Sequence, residues 1–257
     1  MQQSSDLPAT SYRLEPIGYV RSCFREKFGT PRQPGLIGSA TGEILIHPPY
    51  HTPHAFTQLE QFSHIWVLFL FHQALRDEWK PRVRPPRLGG NQSLGVFASR
   101  SPFRPNNIGL SPLKLEGIEY GERETRLHVR GLDLVDGTPV LDIKPYLPYV
   151  DIISDAYGGY ASEAPAPLLQ VEFEPGALLQ LASFLVRHPE LRELIIETIA
   201  ADPRPAYRNQ RNTPDKPDAN DNERIYGVRL HDVNVRWRVD QGTAWIIAID
   251  PDSPRGI

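Results

Sequence analysis

The chain has 257 residues, 40% of them hydrophobic, and a net charge of −3. That apolar content supports one large or two modest domains with real cores and excludes global disorder. The mildly acidic balance also excludes a uniformly basic nucleic-acid binder, so any contact with RNA has to be local.

Cys23 is the sole cysteine. An intrachain disulfide and a cysteine-rich zinc site are therefore ruled out, and a reducing, cytoplasmic setting is expected. The first residues lack the basic and apolar regions of a signal peptide. No apolar run is long enough for a membrane-spanning helix. With 26 prolines and 19 glycines, short strands and many turns are favoured over long helices.

Residues 1–12 read as a flexible tail. Residues 13–22 mix apolar and polar positions like a first strand, and 24–40 (FREKFGTPRQPGLIGSA) form a loop. Residues 42–47 alternate as a second strand. A short helix is expected over 53–62. Residues 63–71 (SHIWVLFLF) are the most hydrophobic run and predict a central strand buried on both sides.

Residues 80–114 then gather Lys80, Arg82, Arg84, Arg87, Arg100, Arg104 and Lys114, with no Asp or Glu between Trp79 and Lys114. Such a block, interleaved with Pro, Gly and Asn, suits an anionic partner. The apolar run Leu94–Ala98 inside it predicts a buried strand holding the loops. Further strands are expected over 113–120, 125–132 and 138–143. Up to residue 154 the pattern is a compact β-barrel or sandwich.

A Pro- and Gly-containing stretch, 155–167, reads as a linker. Residues 168–257 predict a small α+β domain. Its expected parts are a strand at 168–173, helices at 174–186 (apolar stripe Leu178, Leu181, Leu185) and 189–201, and strands at 226–231, 233–239 and 244–249. The polar stretch 208–223 reads as a mobile loop.

Several chemistries lack their motif. There is no Gly-x-Gly-x-x-Gly fingerprint, P-loop or nucleophile elbow. His47, His51 and His54 have no acidic or cysteine partners at ligand spacing, so no metal is expected. The His47-Pro-Pro-Tyr50 box resembles part of a Rossmann methyltransferase motif, but no glycine loop precedes it; it reads as a turn. Two places do suggest a pocket. His72 and Gln73 end the apolar strand. Asp133-Leu-Val-Asp136 forms a carboxylate-bearing turn suited to ribose hydroxyls or a cation.

The blocks FREKFGTPRQPG, FSHIWVLFLFHQ, RPPRLGG, GVFASRSPFRPNNIG, LDLVDGTPVLDIKPYLPY and DPRPAYR resemble the TrmO (TsaA-like) family across nearly the whole chain. The resemblance implies a mainly β protein: a single-sheet, non-Rossmann β-barrel over 13–154, followed by a C-terminal α+β domain at 168–257. It implies a homodimer and S-adenosylmethionine-dependent methylation of N6-threonylcarbamoyladenosine beside the anticodon of threonine tRNA, with S-adenosylhomocysteine as by-product. By position it implies cofactor contacts at Pro31, Arg32, Gln33, His72, Gln73, Arg100, Leu110, Asp133, Leu134, Val135 and Asp136. One departure stands out. Where the family pattern has RPNPIG, this chain has Arg104-Pro-Asn-Asn107-Ile-Gly109, and the lost proline is expected to loosen the turn.

The target N6 carries a carbonyl substituent, so a base or an anion-stabilising cation would aid the transfer. Arg104 or Arg100 is the candidate for the carboxylate or ureido oxygen, and His72 or Asp136 for the proton. Phosphate contacts are expected from Arg82, Arg84, Arg87 and Arg104, with Arg204, Arg208, Arg236 and Arg238 contributing and Tyr207 stacking on a loop base. The competing reading is a non-catalytic barrel that holds tRNA or a nucleotide.

Overall fold

The structure is a computed structural model that describes residues 12–76, 78–89, 92–204 and 224–252. Most of the N-terminal tail, the stretch 208–223, Tyr207 and Arg208 lie outside the described residues.

Eight strands precede the C-terminal region: β1 (Gly18–Ser22), β2 (Thr41–Ile46), β3 (His64–Leu70), β4 (Arg82–Val83), β5 (Leu94–Gly95), β6 (Ile108–Tyr120), β7 (Thr125–Arg130) and β8 (Pro139–Pro145). Six of them close an antiparallel barrel in the order β1-β2-β7-β6-β3-β8. Inward positions follow the two-residue period: Val20; Ile44 and Ile46; Ile65, Val67 and Phe69; Leu113 and Leu115; Leu127 and Val129 are all buried. The short β4 and β5 pair only with each other.

Three expectations change. The central strand β3 is buried on its barrel face alone; Trp66, Leu68 and Leu70 on the other face are half-buried, because a barrel strand has an outside. The run Leu94–Ala98 is not a buried strand. Its two-residue ladder is followed by a 3-10 turn at Val96–Ala98, with Val96 buried and Phe97 70% exposed. The helix expected at 53–62 is two 3-10 turns, Pro53–Phe56 and Leu59–Gln61.

After a one-turn helix α1 (Pro148–Asp151) come β9 (Gln170–Phe173), α2 (Pro175–Phe184), α3 (Leu191–Ala200), β10 (Tyr226–Leu230), β11 (Val233–Asp240) and β12 (Thr243–Pro251). The sheet order is β10-β11-β12-β9, with β9 parallel to β12 and the other pairs antiparallel. Proline opens α2 at a position where a missing N–H costs no helix bond. The helix buries Ala177, Leu181 and Phe184, whereas Leu178 faces outward; the stripe is rotated from the expected one.

The two lobes share one hydrophobic core. Phe24 bridges Leu230, the Arg25 N–H donates to the Arg229 carbonyl at 3.3 Å and the His231 N–H to the Cys23 carbonyl at 2.7 Å. Glu197 of α3 accepts from the Ser39 N–H at 2.9 Å and its hydroxyl at 2.6 Å. Arg130 forms a two-bond fork with Glu190, each contact 2.8 Å. Gly29 completes the seam: at φ +89°, a Cβ there would come within 2.4 Å of Val228, so only glycine lets this loop lie against the C-terminal sheet.

Candidate active site

Strand register places three loops at one end of the barrel. Leu70 pairs with Ile108, Phe69 with Val140, Ser22 with Gly42 and Thr41 with Arg130. The connections at 23–40, 71–107 and 131–138 therefore all rise from the same rim. These are the segments that hold the PRQ loop, the His72-Gln73 strand end, the basic block and the Asp133–Asp136 turn. Chain-successive strands of this antiparallel barrel alternate in direction, so alternate connections fall at one end, and that is how distant blocks of sequence meet.

Within the rim the groups are linked. Arg100 Nη1 donates to Gln33 Oε1 at 2.6 Å, joining the basic block to the PRQ loop. Arg100 also acts electrostatically on Asp133, whose carboxyl is pushed up to about 6 by burial, against a hydrogen bond from Ser111 and the arginine's charge. Asp133 Oδ1 is buried with no hydrogen-bond partner. An orphaned acceptor of this kind costs about 1–3 kcal/mol, and groups left so are concentrated at functional sites. Lys27 Nζ donates to the Gln73 carbonyl. His72 beside it is held below its ordinary pKa, first by burial and then by the Lys27 charge, so its imidazole is neutral at pH 7. Arg32 keeps solvent access, yet partial desolvation by the surrounding chain pulls it down, opposed by Asp202 from the C-terminal lobe.

Pro31 and Gln33 are half-buried and Arg32 is exposed. Leu134 is buried and Val135 half-buried, so both help to fix the turn. Leu110 lies on the outward face of β6, half exposed, while its neighbour Ser111 turns inward.

Asp136 is fully engaged in structure. Its Oδ1 accepts the Ser22 N–H at 2.9 Å and its Oδ2 the Arg25 guanidinium at 2.6 Å. Of the two carboxylates in the turn, Asp133 is the one with capacity to spare. Arg104 braces its own loop: Nη1 donates to the Val96 carbonyl at 3.2 Å and the Ser99 carbonyl at 2.7 Å. It also lines a hollow of about 140 Å³ with Ala74, Arg76, Trp79, Phe103 and Asn107.

Asn107 corrects the expectation of a loosened turn. It sits at φ +47°, in the left-handed region that Asn tolerates and proline, fixed near −65°, never enters. Its Nδ2 donates to the Pro102 carbonyl at 2.6 Å, and its carbonyl accepts from the Phe71 N–H at 2.9 Å. These two bonds pin the turn, and it holds the strand end next to His72.

The expected RNA contacts divide. Arg82, Arg84 and Arg87 are exposed, with Arg82 bonded to Ser93 and Arg87 to the Glu163 carbonyl of the 155–167 stretch. Arg204 does not belong with them. It is only 5% exposed and makes a two-bond pair with Asp202 at 2.7 and 2.9 Å, so it acts inside the fold, near Arg32. Arg236 and Arg238 lie on the outer face of β11, paired with Asp250 at 2.9 Å and Glu174 at 3.5 Å. Their charge is largely answered by acids, which weakens their claim on phosphate. Sequence reasoning passed over Arg25, Lys27 and Ser111. The first two were legible as cations just ahead of the PRQ loop; Ser111 is revealed only by its inward turn opposite Asp133.

A closed barrel that gathers a carboxylate, an imidazole and linked cations at one rim, flanked by basic loops, defines a non-Rossmann barrel with its charged groups concentrated at one end. The comparisons name its family. The profile described as the tRNA-methyltransferase O N-terminal domain matches residues 19–152, and that of the TrmO C-terminal domain matches 166–252. The tRNA (adenine(37)-N6)-methyltransferase of Escherichia coli K12 is 47% identical over 242 residues, covering 94% of this chain and 99% of that one. A putative S-adenosylmethionine-dependent methyltransferase, RcsF of Pseudomonas aeruginosa, is 51% identical, covering 88% and 92%. The crystal structure of TrmO from Pseudomonas aeruginosa superposes with a TM-score of 0.75 at 41% identity, covering 93% of this chain and 98% of that one. The chain belongs to the TrmO family.

Proposed function

We propose that the protein moves a methyl group from S-adenosylmethionine to N6 of threonylcarbamoyladenosine beside the anticodon of threonine tRNA. The products are N6-methyl-N6-threonylcarbamoyladenosine and S-adenosylhomocysteine. Family membership and the names of the relatives support a tRNA (adenine-N6)-methyltransferase. The observation that carries the site assignment is the buried, unpartnered Asp133 Oδ1 next to the Arg100–Gln33 pair.

These residues fit the cofactor. Asp133 offers an acceptor for its ammonium or ribose hydroxyls. Arg100, fixed by Gln33, and Arg32 offer cations for its carboxylate. When bound, S-adenosylmethionine supplies a methyl carbon already activated by sulfonium. The protein then has to align the nucleophile, exclude water and remove the N6 proton. The neutral imidazole of His72 is the proton acceptor. Asp136 holds Arg25 against the end of β1 and acts as a positioning residue. Arg104 shapes the loop that receives the modified nucleoside, and Arg82, Arg84 and Arg87 meet phosphates along it.

The active form is a homodimer in the cytoplasm. Its support is a run of exposed apolar residues following the barrel: Tyr149, Val150, Ile152, Ile153 and Tyr157. Large exposed apolar side chains grouped in this way are of the kind that a partner surface covers. A solution mass of one chain would remove the dimer.

The test uses labelled S-adenosylmethionine and two threonine tRNAs, with and without the threonylcarbamoyl group. Label on the modified tRNA alone is the expected result. Equal label on both would move the target atom elsewhere. Cofactor binding without label on any tRNA would favour a binding module.

A further inference from the structure

The basic block carries an aromatic pair that neither the barrel core nor the proposed cofactor site uses. Trp79 and Phe97 stack with ring centroids 6.1 Å apart and planes 29° from parallel. They are 48% and 70% exposed. Single exposed aromatics are ordinary, but a stacked, exposed pair next to a cluster of cations is not. The Arg104 guanidinium lies 5.5 Å from the centre of Phe97, and Arg76 and Lys80 lie 4.3 and 5.9 Å from that of Phe103. Glu78 is the one described acid that reaches the adjoining hollow.

We propose that Trp79 and Phe97 form a stacking platform for an unpaired base of the tRNA loop, adjacent to the nucleotide that is methylated. The proposal rests on the tRNA-methyltransferase reading and adds to it a specific contact with single-stranded RNA. Every base has a π-face, so an aromatic platform accepts an unstacked nucleotide whatever its identity, while the flanking cations take the phosphates. Placement supports the assignment. The platform grows from the same loop, 71–107, that begins at His72, and Arg104 touches both the ring of Phe97 and the backbone of the loop. A base laid on Phe97 would therefore sit beside the rim where its neighbour has to be presented.

The experiment measures KM for tRNA, kcat, and affinity for an anticodon stem–loop RNA in Trp79→Ala, Phe97→Ala and the double variant, with Phe97→Tyr as the conservative control. Stacking predicts a KM raised about tenfold or more in the alanine variants, with kcat at saturating tRNA within about twofold and Phe97→Tyr close to wild type. An RNA lacking the base next to the target should lose a similar factor on the wild-type protein and little more on the double variant. An unchanged KM and affinity would overturn the platform. So would a loss of dimer mass in place of RNA affinity, which would give the rings to a second copy of the chain. If the wild type labels no tRNA, the methyltransferase reading falls. The stem–loop titration then still decides the platform.

Discussion

The loops at 23–40 and 71–107 rise from the same rim of the barrel and are built in opposite ways. The first is held from both sides. Cys23, Phe24, Ile37 and Ala40 are buried, Phe24 bridges Leu230, and Ser39 is bound by Glu197. The second, among its described residues between Arg76 and Asn107, buries only Val96, and its hydrogen bonds run mostly within itself. The difference fits the two partners proposed above. A small cofactor of fixed shape is bound well by a preorganised loop. A large, partly unpaired polyanion calls for exposed cations and rings that can adjust. The C-terminal lobe braces the loop at 23–40 through Glu197 and the Phe24–Leu230 bridge.

The strongest way to break this comparison is to remove the proposed proton acceptor. His72→Gln should lower kcat about a hundredfold or more while leaving the affinity for tRNA unchanged; a loss of affinity instead would place His72 on the RNA side. Next comes the clamp. Gly29→Ala puts a Cβ against Val228 at a positive φ, which should cost about 1–3 kcal/mol of stability. Thermal unfolding would read that loss, and a raised KM for S-adenosylmethionine should accompany it.

Asp133 gives a pH signature. Its folded pKa of about 6 lies above the ordinary carboxylate value of 3.8, so the folded state holds the proton more tightly than the unfolded chain. The ionised form therefore opposes folding as pH rises from about 4 through about 6, by roughly 3 kcal/mol in full. Asp133→Asn should remove that dependence and raise the KM for S-adenosylmethionine, and urea unfolding at pH 4 and pH 7 would measure the first effect. The smallest effect belongs to the outer cations. Changing Arg82, Arg84 or Arg87 singly to Ala should weaken all tRNAs alike and reduce the slope of log affinity against log salt by about 0.7–1 each.

Much of this was legible in the chain. The alternation in 42–47 and the apolar run 63–71 mark barrel strands, and the acid-free block at 80–114 marks the strongly basic loop of the rim. Folded geometry decided the rest. Nothing local separates Asp133 from Asp136, three residues apart in one turn; only the positions of Ser22 and Arg25 show that one is spent and the other is not. Arg204 looks like a surface cation until Asp202, at φ +48°, turns back to meet it inside the lobe. Phe97 looked like core because it lies in the apolar run Leu94–Ala98, but the chain makes a 3-10 turn there that buries Val96 and leaves Phe97 facing outward.

The buried Cys23 has a practical consequence. Its thiol is 1% exposed, and burial pushes its pKa up to about 12, so almost no thiolate exists at neutral pH and reagents have no path to it. The natural chain is thus already blank for thiol labelling. A cysteine introduced at an exposed site such as Gln92 would take a fluorophore or spin label alone, without altering the core. That makes the basic loop directly observable when RNA is added.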